Sequence, residues 1–260
     1  MIKRERVATL VAEFLGTGIL TLLVLVMFRS NIGQLSYFVE IGVAFVVATL
    51  VYIFGSSSGA ILNPAVAIGL WTARKLETLT TVVYVVAELL GAWVAYYLFK
   101  YLLNIKVPAV NGHFLGRTLV AEAIGAGVLG LAWGAVAYKK YSNNIKAPLI
   151  GIATMVGMLL ASSASAGLIN PSLALGLRIW VWGTYVAGPV IGAIVGINLF
   201  GLLFTSDKEY SNAKKESVAF FRDINASTRT GGTVSKSAGS SAVKRSAPAN
   251  KRSTSRTKKK

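Results

Sequence analysis

Two short stretches, NPAVAIGL at 63–70 and NPSLALGL at 170–177, decide how this 260-residue chain folds. Each opens an apolar piece, 63–71 and 170–180, that is only about half the roughly 20 residues a helix needs to cross about 30 Å of hydrocarbon. Neither can span a bilayer alone. Each follows a segment rich in Ser, Gly and Ala, at 56–62 and 162–169, where no regular helix is expected. Pro64 and Pro171 suit the first helical position, where a missing N–H costs nothing and the fixed φ favours a helix start. Asn63 and Asn170 are then the caps, and two capped half-helices must dip into the membrane and return.

Longer apolar runs surround them, at about 7–28, 37–55, 80–99, 119–138, 147–161 and 181–204. Each is close to membrane-spanning length, so six crossings are expected. The chain also repeats itself. AEFLGTGIL at 12–20 matches AEAIGAGVL at 121–129 with an offset of 109, and the two Asn-Pro stretches match with an offset of 107. LGA at 90–92 and IGA at 191–193 form a weaker third match. Each half, about 7–104 and 115–204, holds three crossings. An odd number obliges the second half to enter from the opposite face, so the repeat is inverted about an axis in the membrane plane. The fold class predicted is an all-α membrane protein with six transmembrane helices plus two re-entrant half-helices in an inverted 3+3 repeat. The first run stays as a helix rather than a cleaved signal, because it is long, carries Glu13, belongs to the repeat and lacks a small-x-small cleavage site.

Composition agrees. The chain is 54% hydrophobic and 14% charged, with mean hydropathy +0.60. It has no cysteine, hence no disulfide, thiolate metal site or cysteine nucleophile, and its single histidine, His113, falls in a polar stretch that reads as a surface loop. No catalytic constellation, metal site or cofactor is expected. Of the net charge of +17, much belongs to a tail, with thirteen Lys or Arg against two acids between Ser211 and Lys260. With both termini cytoplasmic, Lys3, Arg4, Arg6, Arg74, Lys75, Lys139, Lys140, Lys146 and the tail lie inside, against Arg29, Lys100, Lys106, Arg117 and Arg178 outside, which is the usual positive-inside bias.

If the halves are inverted, the two half-helices present their N-termini to one another at mid-bilayer. Each terminus carries about half a positive elementary charge. Cations and hydronium would be repelled there, while the Asn63 and Asn170 amides donate to a passing neutral oxygen and interrupt a proton wire.

These motifs resemble the aquaporin, or major intrinsic protein, family over nearly all of residues 7–204. The carriers are AEFLGT at 12–17, SGAILNPAV at 58–66, AELLGA at 87–92, NPS at 170–172 and GPVIGA at 188–193. The resemblance implies a homotetramer in the plasma membrane, with one pore per subunit moving water or small uncharged solutes down their gradients. It places Asn63, Pro64, Ala65, Asn170, Pro171 and Ser172 at the pore centre. It implies that Glu13 and Glu122 accept hydrogen bonds from the re-entrant backbone, where an unpaired carboxylate would be expensive. Glu88, at a position commonly an amide in the family, reads as a snorkelling or protonated structural residue.

The family's outer selectivity ring normally contains an arginine three residues after the second Asn. Here that residue is Leu173, and spacing from the Asn-Pro motifs assigns the other positions to Val43, Met158 and Gly167. All four are apolar. Such a ring offers no replacement for lost hydration and favours dewetting. Ala174 stands where glycerol-conducting relatives carry an acid. Arg178, more than a turn beyond Leu173, reads as an interfacial snorkelling residue. Substrate therefore divides between water with small neutral solutes and a pore of relaxed or apolar selectivity, gases included. An inverted-repeat secondary transporter is a further alternative, lacking an ionisable coupling residue beside the broken helices.

From residue 205 the apolar pattern stops. Residues 205–260 read as a disordered basic cytoplasmic tail, attracted to anionic lipid headgroups and lacking the interleaved aromatics of a nucleic-acid binder.

Overall fold

A computed structural model describes residues 4–29, 36–105, 107–139 and 141–206. Of the tail assigned to residues 205–260, everything from residue 207 onward lies outside them. Among the described residues eight α-helices follow one another: α1 (Arg4–Arg29), α2 (Ser36–Phe54), α3 (Pro64–Thr72), α4 (Thr78–Leu103), α5 (Gly116–Lys139), α6 (Asn143–Ala161), α7 (Pro171–Gly176) and α8 (Gly188–Leu203). A π-helical turn, Gly183–Ala187, leads into α8.

Six of these are long and apolar enough to cross a membrane. They have no strongly polar face, and in their most apolar stretches only a third to a half of the residues are buried. Phe45 on α2 and Leu202 on α8 are more than 70% exposed. An apolar helix with so much apolar surface outside the protein core belongs in lipid. With six crossings, α1 begins and α8 ends at one membrane face, here the near face; α2 also ends there and α6 begins there, where Gly55 faces the Asn143 side chain.

The inverted repeat reappears as matched helix pairs. In the first half α1 packs on α4, and in the second α5 packs on α8. Lipid tails are as apolar as leucine, so membrane helices associate through close packing, which small residues permit. Gly18 faces Gly91 across the first pair, and their repeat counterparts Gly127 and Gly192 face each other across the second. A Cβ on Gly91 would strike the Phe14 carbonyl, and one on Gly192 the Ala123 carbonyl. The third contact, α2 on α6, joins the two halves, with Gly151 against the Ala44 carbonyl.

Both short helices are enclosed by this frame. α3 is buried from Pro64 to Ala67 and α7 from Pro171 to Ala174. α7 is shorter than the apolar pattern predicts. The chain leaves the helix after Gly176, passes Arg178 at a left-handed φ of 58°, and pairs Ile179 with Val110 in a single bridge to the loop before α5.

Candidate functional site

The re-entrant segments leave backbone groups at membrane depth that the protein must satisfy. Glu13, fully buried on α1, accepts from the N–H of Ile61 through Oε1 (3.1 Å) and of Leu62 through Oε2 (2.8 Å). Glu122 on α5 accepts from Leu168 N–H at 3.0 Å, from Ile169 N–H at 2.6 Å and from the Ser165 hydroxyl at 2.7 Å. Leu62 and Ile169 both hold left-handed backbone, with φ 55° and 44°. A bulky side chain adopts that region only where its surroundings fix it, at a strain of about 1–3 kcal/mol. The paired carboxylate bonds are what fix it here.

The turn those residues make aims their carbonyls across the repeat axis. Asn63 Nδ2 donates to the Ile169 carbonyl at 3.0 Å, and Asn170 Nδ2 donates to the Leu62 carbonyl at 2.8 Å. Each side-chain oxygen caps its own helix: Asn63 Oδ1 accepts from Ala65 N–H at 3.0 Å and Asn170 Oδ1 from Ser172 N–H at 2.9 Å. Both Asn residues have extended φ and ψ and precede a proline at the first helical position, as a side-chain cap requires. The two helix starts thus meet, joined by reciprocal bonds. One of the two N–H groups on each amide is occupied in this way, leaving one.

Glu88 does not snorkel. It is fully buried on α4, and its Oε1 accepts from the Asn63 N–H at 2.9 Å, so the first cap is held by a carboxyl as well as by its own side chain. Ala65 and Ser172, at equivalent places after the prolines, are both fully buried.

The four ring positions are all interior. Val43 is on α2, Met158 near the end of α6, Leu173 on α7 and Gly167 in the second re-entrant segment, and none carries appreciable accessible surface. Gly167 lies against α6: it holds a φ of 64°, and a Cβ there would meet the Met158 carbonyl at 2.7 Å and Ser162 at 3.1 Å. Arg178 reaches the loop before α5, where it donates to the Val107 carbonyl at 2.9 Å, and its guanidinium lies 5.5 Å from the centre of the Tyr96 ring on α4.

Two ionisable residues beside this axis are not singled out by motif spacing. Glu40, one turn before Val43 on α2, is 3% exposed; its Oε1 accepts from the Ser162 hydroxyl at 3.2 Å and its Oε2 is enclosed without a hydrogen-bond partner among the described residues. Lys146, in the first turn of α6, is 7% exposed and donates to the Gly59 carbonyl at 2.6 Å. An acid or a base inside an otherwise apolar run is the signal that points to both.

A family model described as Major intrinsic protein matches residues 2–200. The chain is 30% identical over 229 residues to Aquaporin AqpM of Methanothermobacter marburgensis, covering 71% of this chain and 92% of that one. It is 28% identical over 191 residues to human Aquaporin-4, covering 65% and 57% respectively. Among solved structures, it superposes on the aquaglyceroporin from Plasmodium falciparum with a TM-score of 0.59 at 23% identity, over 76% of this chain and 96% of the other.

Proposed function

This chain belongs to the major intrinsic protein family, and on that premise we propose that residues 1–204 form a passive channel for water and small uncharged solutes. The family consists of channels rather than enzymes. The observation that carries the reading is the reciprocal pair of bonds from Asn63 to Ile169 and from Asn170 to Leu62. It sets two capped helix starts head to head at the repeat axis, each with a side-chain N–H left to donate to a solute oxygen. A neutral oxygen held between two such donors is oriented and decoupled from the next molecule in file, which breaks proton relay. A cation gains nothing from donors and meets positive helix ends.

We assign the pore centre to Asn63, Pro64, Ala65, Asn170, Pro171 and Ser172, and the outer ring to Val43, Met158, Gly167 and Leu173. Because that ring is wholly apolar, a second reading stands beside the first: a pore of relaxed or apolar selectivity that also passes small nonpolar molecules. The biological unit proposed is a homotetramer in the plasma membrane with both termini cytoplasmic, its basic tail against anionic lipid.

Stopped-flow light scattering on proteoliposomes tests this. Water permeability well above that of protein-free vesicles is the expected result, with linear, non-saturating flux of small polyols or amides. Swelling no faster than in empty vesicles would remove the channel reading, and uptake coupled to an ion gradient would replace it with a transporter.

A further inference from the structure

Lys146 is the fourth residue of α6, inside a membrane-crossing stretch, and is almost wholly enclosed by protein. Its ammonium donates to the Gly59 carbonyl at 2.6 Å and lies 5.1 Å from the centre of the Trp133 ring. Gly59 lies in the re-entrant segment, four residues before Asn63, so the charge is fastened to the near-face approach to the two caps. Neither a carbonyl nor an aromatic face removes its net charge. Its electrostatic partner is Glu13, which accepts from the Ile61 and Leu62 N–H groups; no ion pair joins the two among the described residues, so the carboxyl offsets the ammonium only in part. An ionisable side chain buried inside a membrane bundle marks a functional position.

Among the described residues no Lys or Arg is buried on the other side of the caps. Leu173 occupies the place of a ring cation, and the guanidinium of Arg178 is drawn off to Val107 and Tyr96. Glu40, one turn before Val43, instead puts a buried carboxyl there, one of whose oxygens has no hydrogen-bond donor among the described residues. A cation entering by way of the ring therefore meets no buried Lys or Arg among the described residues there, and its rejection occurs farther in.

We propose that Lys146 is the fixed positive charge that turns back cations in this channel, placed on the Gly59 side of the Asn caps rather than in the ring. Fixed positive groups along a narrow pore form the electrostatic barrier to cations and protons, and a charge hydrogen-bonded to the lining backbone stays in register with the path. Arginine would hold the same charge; a neutral amide of similar reach would keep a donor for Gly59 and lose the barrier. The proposal rests on the channel reading above.

Proteoliposomes carrying wild type, Lys146→Gln and Lys146→Arg are compared for potassium flux and water permeability in the same preparations. The ratio of potassium to water permeability should rise at least tenfold in Lys146→Gln and return to the wild-type value in Lys146→Arg. A ratio in Lys146→Gln equal to wild type overturns the proposal. If the Gln variant fails to fold, the unmutated protein decides: potassium flux above protein-free vesicles shows that no barrier exists and overturns it, and flux at that baseline, matched by Lys146→Arg, supports it. Wild-type vesicles no more permeable to water than empty ones would overturn the channel reading itself, which the potassium ratio does not test.

Discussion

Glu13 and Glu122, 109 residues apart, make the same contact: each accepts from the two consecutive backbone N–H groups that precede an Asn cap. The carboxylates are the second link in a short chain of causes. They hold Leu62 and Ile169 in left-handed backbone, which turns two carbonyls toward the opposite half, which receives the amides of Asn170 and Asn63.

Glu13→Gln should weaken that brace, because an amide nitrogen then faces one of the two N–H groups. Hydrogen bonds to a charged group contribute about 1.5–3 kcal/mol, and leaving a buried donor unpaired adds to the loss. The thermal unfolding midpoint of the purified channel in detergent should fall by several degrees, and Glu122→Gln should fall in parallel. A midpoint equal to wild type in either variant would show that the re-entrant segments hold their shape without these carboxyls.

Asn170→Ala removes a helix cap, a loss of about 1 kcal/mol, and orphans the Leu62 carbonyl on the other half. Water permeability per inserted protein should drop at least tenfold, measured by stopped-flow light scattering. Full permeability in a correctly inserted Asn170→Ala protein would detach the amide from conduction.

Leu173→Arg would place a guanidinium in the proposed apolar ring and narrow it. The permeability ratio of a small polyol to water should fall severalfold, since a fixed donor and a smaller opening favour the smaller molecule. An unchanged ratio would mean that the ring lies at other residues.

Gly91→Val tests the packing directly. Its side chain would run into the Phe14 carbonyl and the Gly18 nitrogen, and two backbones held together by small residues have no room to yield. Gly91→Val should abolish recovery of a monodisperse, folded protein. Gly116→Ala, where an added Cβ meets nothing within 4 Å, should be recovered like wild type on size-exclusion chromatography.

Much of the fold was legible because membrane-spanning length and internal repetition are carried by many residues at once. The six crossings and the two half-length helices follow from run lengths, and the inversion follows from three crossings per half. Element ends were less legible. The apolar pattern continues to Trp180, yet α7 stops at Gly176: Arg178 turns left-handed, Ile179 N–H returns to the Ala174 carbonyl, and Ile179 bridges Val110, a pairing that local pattern does not encode. At the site, the Asn-Pro repeats mark where to look, but not which atoms meet. The bonds from Asn63 to Glu88, Ser162 to Glu40 and Lys146 to Gly59 join residues 25, 122 and 87 positions apart. Such partners depend on the helices already being packed. Glu88 shows the limit: in isolation it suggests a carboxyl reaching for water, and only the placement of α4 behind α3 gives it the Asn63 N–H.

The amides exchanged between Asn63 and Asn170 also set an order of events on the ribosome. Asn63 is synthesised 106 residues before Ile169, its acceptor, and the Leu62 carbonyl waits 108 residues for Asn170. A nascent chain holding only the first three crossings can have Glu13 and Glu88 in place, yet its re-entrant turn still displays a polar edge with nothing to close it. The first half is therefore an open clasp, and the last third of the membrane domain must arrive before either half is sealed against lipid.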